Sequence, residues 1–143
     1  MAWADPELIE SLRGQALFAD LDELALAHIA EVATPLEVES GYVLIEAGQE
    51  GTGLFIVQTG SAQVEIGAKT IACGAGEFIG ELSLLVDGLV HTGRVRAVTP
   101  LKCLAINRYE FDKLLGDEPR IAINMLRVLA RRLAETDRML ARS

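Results

Sequence analysis

The residues best suited to chemistry lie between Phe78 and Ala97, in the run FIGELSLLVDGLVHTGRVRA. Gly80 and Glu81 open a short apolar run that reads as a helical turn over residues 81–86. Glycine leaves room for close backbone approach, and a helix opening there offers unpaired N–H groups and the positive end of its dipole to an anion. Leu82 and Ser83 continue that opening turn. Glu81 is a carboxylate at the helix start, able to accept hydrogen bonds from a hydroxyl-bearing ligand, or simply an N-terminal acid favoured by the dipole. Asp87-Gly88 makes a turn, and His91, Thr92, Arg94 and Arg96 follow on a strand-like segment. Side chains alternate along a strand, so Val95 is predicted to face inward, with Arg94 and Arg96 on the outer face and away from any pocket.

The elements that must position these groups are legible from periodicity. Residues 5–33 read as helices: Leu8, Ile9 and Leu12 recur at helical spacing, as do Leu21, Leu24, Ile29 and Val32, with Gly14 separating two short segments. From Pro35 the period changes. Short β-branched segments at residues 43–45, 54–57, 64–66 and 69–72 alternate with glycines, and Thr59-Gly60-Ser61 reads as a tight hairpin. Strands resume at residues 94–98 and 101–106. Asn107 is placed to cap a helix with Glu110 three residues on, that helix ends near Gly116, and Pro119 suits the first turn of a last helix reaching about Leu140. Short strands with regular glycines predict a jelly roll rather than βαβ units. The predicted fold is α+β: helices over 5–33, a β-jelly-roll barrel over 34–106 and C-terminal helices over 107–142, forming a single domain of residues 1–143.

The last helix carries two apolar stripes. Ile121, Met125 and Val128 suit packing on the β-domain, while Leu126, Leu129, Leu133 and Leu140 form a second seam. A helix with two apolar faces packs on two things, and residues 121–140 are predicted to join a homodimer; a single broad core face is the alternative.

Composition bounds the remaining possibilities. The chain has 143 residues and a formal net charge of −8, so direct nucleic-acid binding, which rests on phosphate neutralisation by a basic face, is disfavoured. The arginines at 127, 131, 132 and 138 read as a solvated helix face. Apolar runs are short and the N-terminus is acidic, which predicts a cytoplasmic protein with no membrane span and no secretory signal. Cys73 and Cys103 sit in apolar strand-like segments and read as buried thiols. His28 falls on a helix interior. No paired carboxylates, metal-spaced cluster or nucleophile elbow is present, so no enzyme is predicted and no metal or firm cofactor is implied.

Two stretches resemble the cyclic nucleotide-binding domain family of catabolite activator-type regulators, cyclic nucleotide-dependent kinases and nucleotide-gated channels. The first is Leu44-Ile45-Glu46-Ala47-Gly48-Gln49-Glu50-Gly51 followed by Leu54-Phe55-Ile56-Val57 and Gly60. The second is Ile79-Gly80-Glu81-Leu82-Ser83-Leu84 followed, after six residues, by His91-Thr92-Gly93-Arg94-Val95-Arg96-Ala97. The resemblance spans residues 12–135 and implies a sensor for cyclic AMP, cyclic GMP or a related phosphate at Gly80, Glu81, Leu82, Ser83, His91 and Thr92. It implies a ribose contact for Glu81. A Thr92 hydroxyl can bond a phosphate oxygen or the amino group of a syn guanine, a lean towards cyclic GMP.

The resemblance also puts His91 where the family has its phosphate-gripping arginine, and Gly93 at the small position after it. An imidazole lacks the permanently charged, bidentate fork of a guanidinium. Losing one partner of a buried charge pair costs about 2–5 kcal/mol, on the order of 30- to several-thousand-fold in affinity. Weak or lost nucleotide affinity is therefore predicted. The alternatives are a degenerate dimerisation or protein-interaction module, and the regulatory half of a transcription regulator. Such regulators carry a helix-turn-helix domain after the long helix, and this sequence ends at Ser143.

Overall fold

The computed structural model describes residues 5–142, which divide into two units: one of Glu31–Asp112, the other of the residues up to Ala30 together with those from Lys113 onward.

The Glu31–Asp112 unit is the jelly roll. Its strands are β1 (Thr34–Val38), β2 (Val43–Ile45), β3 (Gly53–Thr59), β4 (Ser61–Ile66), β5 (Lys69–Gly74), β6 (Phe78–Ile79), β7 (Arg94–Ala97) and β8 (Leu101–Asn107). They form two four-stranded antiparallel sheets, ordered β1-β8-β3-β6 and β2-β7-β4-β5. Ile45, Val57, Ala62, Cys73, Ile79, Val95, Ala97, Leu101 and Cys103 make a continuous buried cluster drawn from both sheets. The alternation that fills it is clearest in β7, where Val95 and Ala97 are buried and Arg94 and Arg96 are half-exposed, as strand geometry requires. Both cysteines are buried free thiols, and burial pushes the Cys103 thiol up to about 11.

The predicted strands at residues 43–45, 54–57, 64–66, 69–72, 94–98 and 101–106 all appear, most of them one to three residues longer or shorter. Two were not read in advance. β1 contains Pro35, a residue that weakens a strand pattern, yet it lies at the edge of its sheet, where a missing N–H is tolerated. β6 is only Phe78-Ile79, too short to show a period. The hairpin at Gly60 joins β3 to β4 as expected.

The helical unit contains α1 (Pro6–Arg13), a 3-10 turn at Ala16–Phe18, most of α2 (Glu23–Val32), the end of α4 (Arg108–Asp117) and α5 (Pro119–Ala141). Gly14 closes α1, and Pro119 sits in the first turn of α5. The Asn107 side chain accepts from Glu110 N at 2.8 Å, capping α4. In α2 the buried face is Ala25, Leu26, Ile29 and Ala30, so Leu24, counted in the periodic set, lies outside.

Ile121 and Met125 of α5 are buried and Val128 is half-buried. Between them Asn124 donates to the carbonyls of Leu17 and Ala19 at 3.0 and 2.9 Å. This inner stripe, assigned from sequence to the β-domain, thus has its polar anchor on the 3-10 turn of its own unit. Leu126, Leu133 and Leu140 are 65%, 63% and 68% exposed, and Leu129 is half-buried. No helix among the described residues is long and apolar enough to cross a membrane.

Candidate anion site between a short helix and the loop after β2

At the end of β6 the chain turns through Gly80 at φ +95°, a left-handed conformation that side-chain-bearing residues avoid. A Cβ at this position would stand 2.7 Å from the Gly53 carbonyl. The turn delivers the chain into α3 (Glu81–Leu85), a helix of five residues. Glu81, Ser83 and Leu84 point inward, Glu81 6% and Ser83 2% exposed, while Leu82 and Leu85 stand out in solvent. The sequence-predicted residues on this helix therefore divide: Glu81 and Ser83 lie on the buried face and Leu82 on the open one.

His91 comes from the segment before β7. Its backbone is locked to the loop after β2: Gly48 N donates to His91 O at 2.8 Å, and His91 N donates to Gln49 O at 2.9 Å. An isolated antiparallel bridge between Glu50 and Val90 extends the contact. The half-buried imidazole places Nε2 3.2 Å from Ser83 Oγ. In one tautomer Ser83 donates to the ring nitrogen, and in the other the ring donates to the hydroxyl. Burial lowers the His91 pKa below the ordinary imidazole value, favouring the neutral ring.

Gly51 makes the pairing sterically feasible. A Cβ there would collide with Ser83 Oγ and stand 2.7 Å from His91 Nε2. Thr92, the next predicted residue, is exposed.

The outward arginines are committed elsewhere. Arg94 Nε donates to Glu46 at 2.8 Å, and this hydrogen bond is the chief reason the Glu46 carboxyl lies below its usual range. Arg96 donates to Glu65 at 3.2 Å and to the Gly41 carbonyl at 3.2 Å. Both guanidiniums are thus paired with carboxylates of neighbouring segments.

Arg108, at the start of α4, was not singled out in the sequence. Its Nη2 donates to the carbonyls of Gly51 and Ser83, both at 2.9 Å, while its backbone N–H donates to Thr52 O at 3.0 Å. One signal was available in advance: a cation in a helix's first turn opposes the helix dipole, so something else must hold it there.

Together these residues form a half-buried polar nook of hydroxyl, imidazole and backbone groups with a guanidinium behind it. Its chemistry suits hydrogen bonding to an oxyanion or a hydroxylated ligand. The family model described as "Cyclic nucleotide-binding domain" matches residues 35–118, more than half of the chain and the whole stretch that builds the nook. A CRP-like cAMP-activated global transcriptional regulator of Mycobacterium tuberculosis is 27% identical over 140 residues, covering 92% of this chain and 61% of the relative. Among solved structures, the catabolite activator protein of Thermus thermophilus superposes with a TM-score of 0.79 at 27% identity, over 89% of this chain and 62% of that one. The N-terminal domain of a transcriptional regulator from Streptomyces coelicolor does so with a TM-score of 0.68 at 30% identity, over 88% and 94%. The chain thus spans about three-fifths of the length of the curated regulator it matches. With a jelly roll, a short helix α3 entered through a left-handed glycine and a family match across both, this chain belongs to the cyclic nucleotide-binding domain family.

Proposed function

We propose that the chain is a regulatory sensor module, not an enzyme, that takes a cyclic nucleotide or related phosphate at Gly80, Glu81, Leu82, Ser83, His91 and Thr92, with weak affinity. The single observation that carries this reading is the His91 Nε2–Ser83 Oγ contact at 3.2 Å. The side chain at the phosphate-facing position is a largely neutral imidazole already engaged by a hydroxyl, in place of a fixed cation. Glu81, on the buried face of α3, is assigned to a ribose hydroxyl. Residues 1–143 act as one cytoplasmic module that pairs with a second copy through residues 121–140.

Isothermal titration of the full chain with cyclic AMP and with cyclic GMP at neutral pH tests the reading. Weak binding that strengthens in His91→Arg supports it. Sub-micromolar binding of either nucleotide by the parent protein would overturn the assignment of weak affinity to His91. No binding by either protein would favour a degenerate dimerisation or protein-partner module.

The Mycobacterium tuberculosis relative favours a second, compatible reading. A chain similar to 61% of a transcriptional regulator can serve as the regulatory part of such a protein. These residues themselves, at a net charge of −8, leave DNA contact to another segment.

A further inference from the structure

We propose that Arg108 is the positioning residue of the anion site: its guanidinium ties the carbonyl of Gly51 to that of Ser83 and so holds the His91–Ser83 pair where a ligand meets it. The ligand class rests on the reading given under Proposed function; the positioning role does not.

The hydrogen bonds close a ring. Ser83 is joined to His91 through its side chain. His91 is joined through its backbone to Gly48 and Gln49 of the loop. The same loop reaches Gly51, whose carbonyl is held by Arg108, and Arg108 returns to Ser83 through the Ser83 carbonyl. Each member fixes its neighbours, and Arg108 ties the loop to the helix through their two carbonyls.

Both carbonyls need this partner. A short helix leaves its last carbonyls without intrahelical donors. In α3 the Leu82 carbonyl is taken by Val86 N, and the Ser83 carbonyl is taken by Arg108. The Gly51 carbonyl lies in a loop, outside any strand ladder. A guanidinium suits the task because it stays charged at every working pH, so the strut holds whatever His91 does.

The charged groups on the elements around His91 include Glu81 in α3, Asp87 after it, Glu46 and Glu50 in the loop, Arg94 and Arg96 on β7 and Arg108 at the start of α4. Glu46 and Arg94 pair with each other. Removing Arg108 therefore acts on His91 in one direction. It loosens the loop, which hydrates the ring, and it deletes a cation. Both changes favour the imidazolium.

The test is an NMR titration of the His91 imidazole in the ligand-free full chain, assigned with His91→Gln, together with isothermal titration using cyclic AMP and cyclic GMP. In Arg108→Ala the His91 midpoint should move to higher pH, towards about 6.5, and nucleotide affinity should fall at least about tenfold. Arg108→Lys, which keeps the charge and a multiple donor, should recover most of both. A folded Arg108→Ala, judged by circular dichroism, with the parental His91 midpoint overturns the proposal. If that variant does not fold, Arg108→Gln replaces it under the same criterion. If the parent binds neither nucleotide, the proposed ligand falls, and the His91 midpoint alone decides the role of Arg108.

Discussion

His91 Nε2 and Ser83 Oγ lie 3.2 Å apart across a gap that only a glycine at position 51 leaves open. The pair joins α3 to the segment before β7. Several consequences can be measured.

Substituting His91→Arg should strengthen cyclic nucleotide binding at neutral pH by at least about tenfold, because a guanidinium restores a permanent charge and a bidentate fork. Isothermal titration of parent and variant provides the comparison. An unchanged affinity would mean that Ser83 and the loop already close the nook against a phosphate.

The pH dependence follows from the sign of the His91 shift. In the free protein burial lowers its pKa, so the ring is neutral at pH 7 and charges only below the ordinary imidazole range. A bound phosphate favours the imidazolium and raises the pKa. Affinity should therefore rise as pH falls from about 8 towards 6 and level off below the free-protein pKa. The ligand-free fold behaves oppositely. A depressed pKa contributes stability above the unfolded value, and this is lost as pH falls through the folded one. Titrations and melts at several pH values should show both trends, and His91→Gln should flatten both.

Gly51→Ala should damage both stability and binding. The added methyl collides with Ser83 Oγ and crowds His91, so the pair must separate or the loop must move. Overpacking of this kind costs about 1–3 kcal/mol. Chemical denaturation should reveal the loss, and a fully stable variant would show that the loop yields freely.

Arg94→Ala should leave ligand affinity unchanged, since Arg94 is bound to Glu46 on the outer face of β7. Its loss should return the Glu46 carboxyl towards its ordinary range, which NMR of the side chain can follow. A drop in affinity beyond about threefold would assign Arg94 to the ligand after all.

Light scattering at micromolar concentration should give twice the chain mass of 15.4 kDa. Leu126, Leu133 and Leu140 present an exposed apolar line on α5, a surface more typical of an interface than of a lone helix. Leu133→Asp should shift the population to monomer. A parent protein that is already monomeric would remove residues 121–140 from the interface.

Much of this protein was legible in local pattern. Gly80-Glu81 before an apolar run, the Asn107 cap and Pro119 at the head of α5 each act through neighbours a few residues away, so the chain's order reports them directly. Strand alternation likewise placed Val95 inside and Arg94 outside, because it depends only on the backbone's period of two. β6 escaped because two residues carry no period, and β1 because Pro35 is tolerated only once the strand is known to be an edge. Helical spacing said which α5 residues are buried, while the anchoring of Asn124 on the Leu17 and Ala19 carbonyls was decided by the tertiary structure. The site divided along the same line. Gly80, Glu81, Ser83 and His91 could be named from the resemblance of their two motifs to the family's. The contacts Ser83 makes with His91, eight residues away, and Arg108 with Gly51, 57 residues away, were decided by the tertiary structure. Those contacts exist only because separate antiparallel pairings bring a loop, a short helix and the start of α4 together, and no local property of the sequence records which distant carbonyl a guanidinium will find.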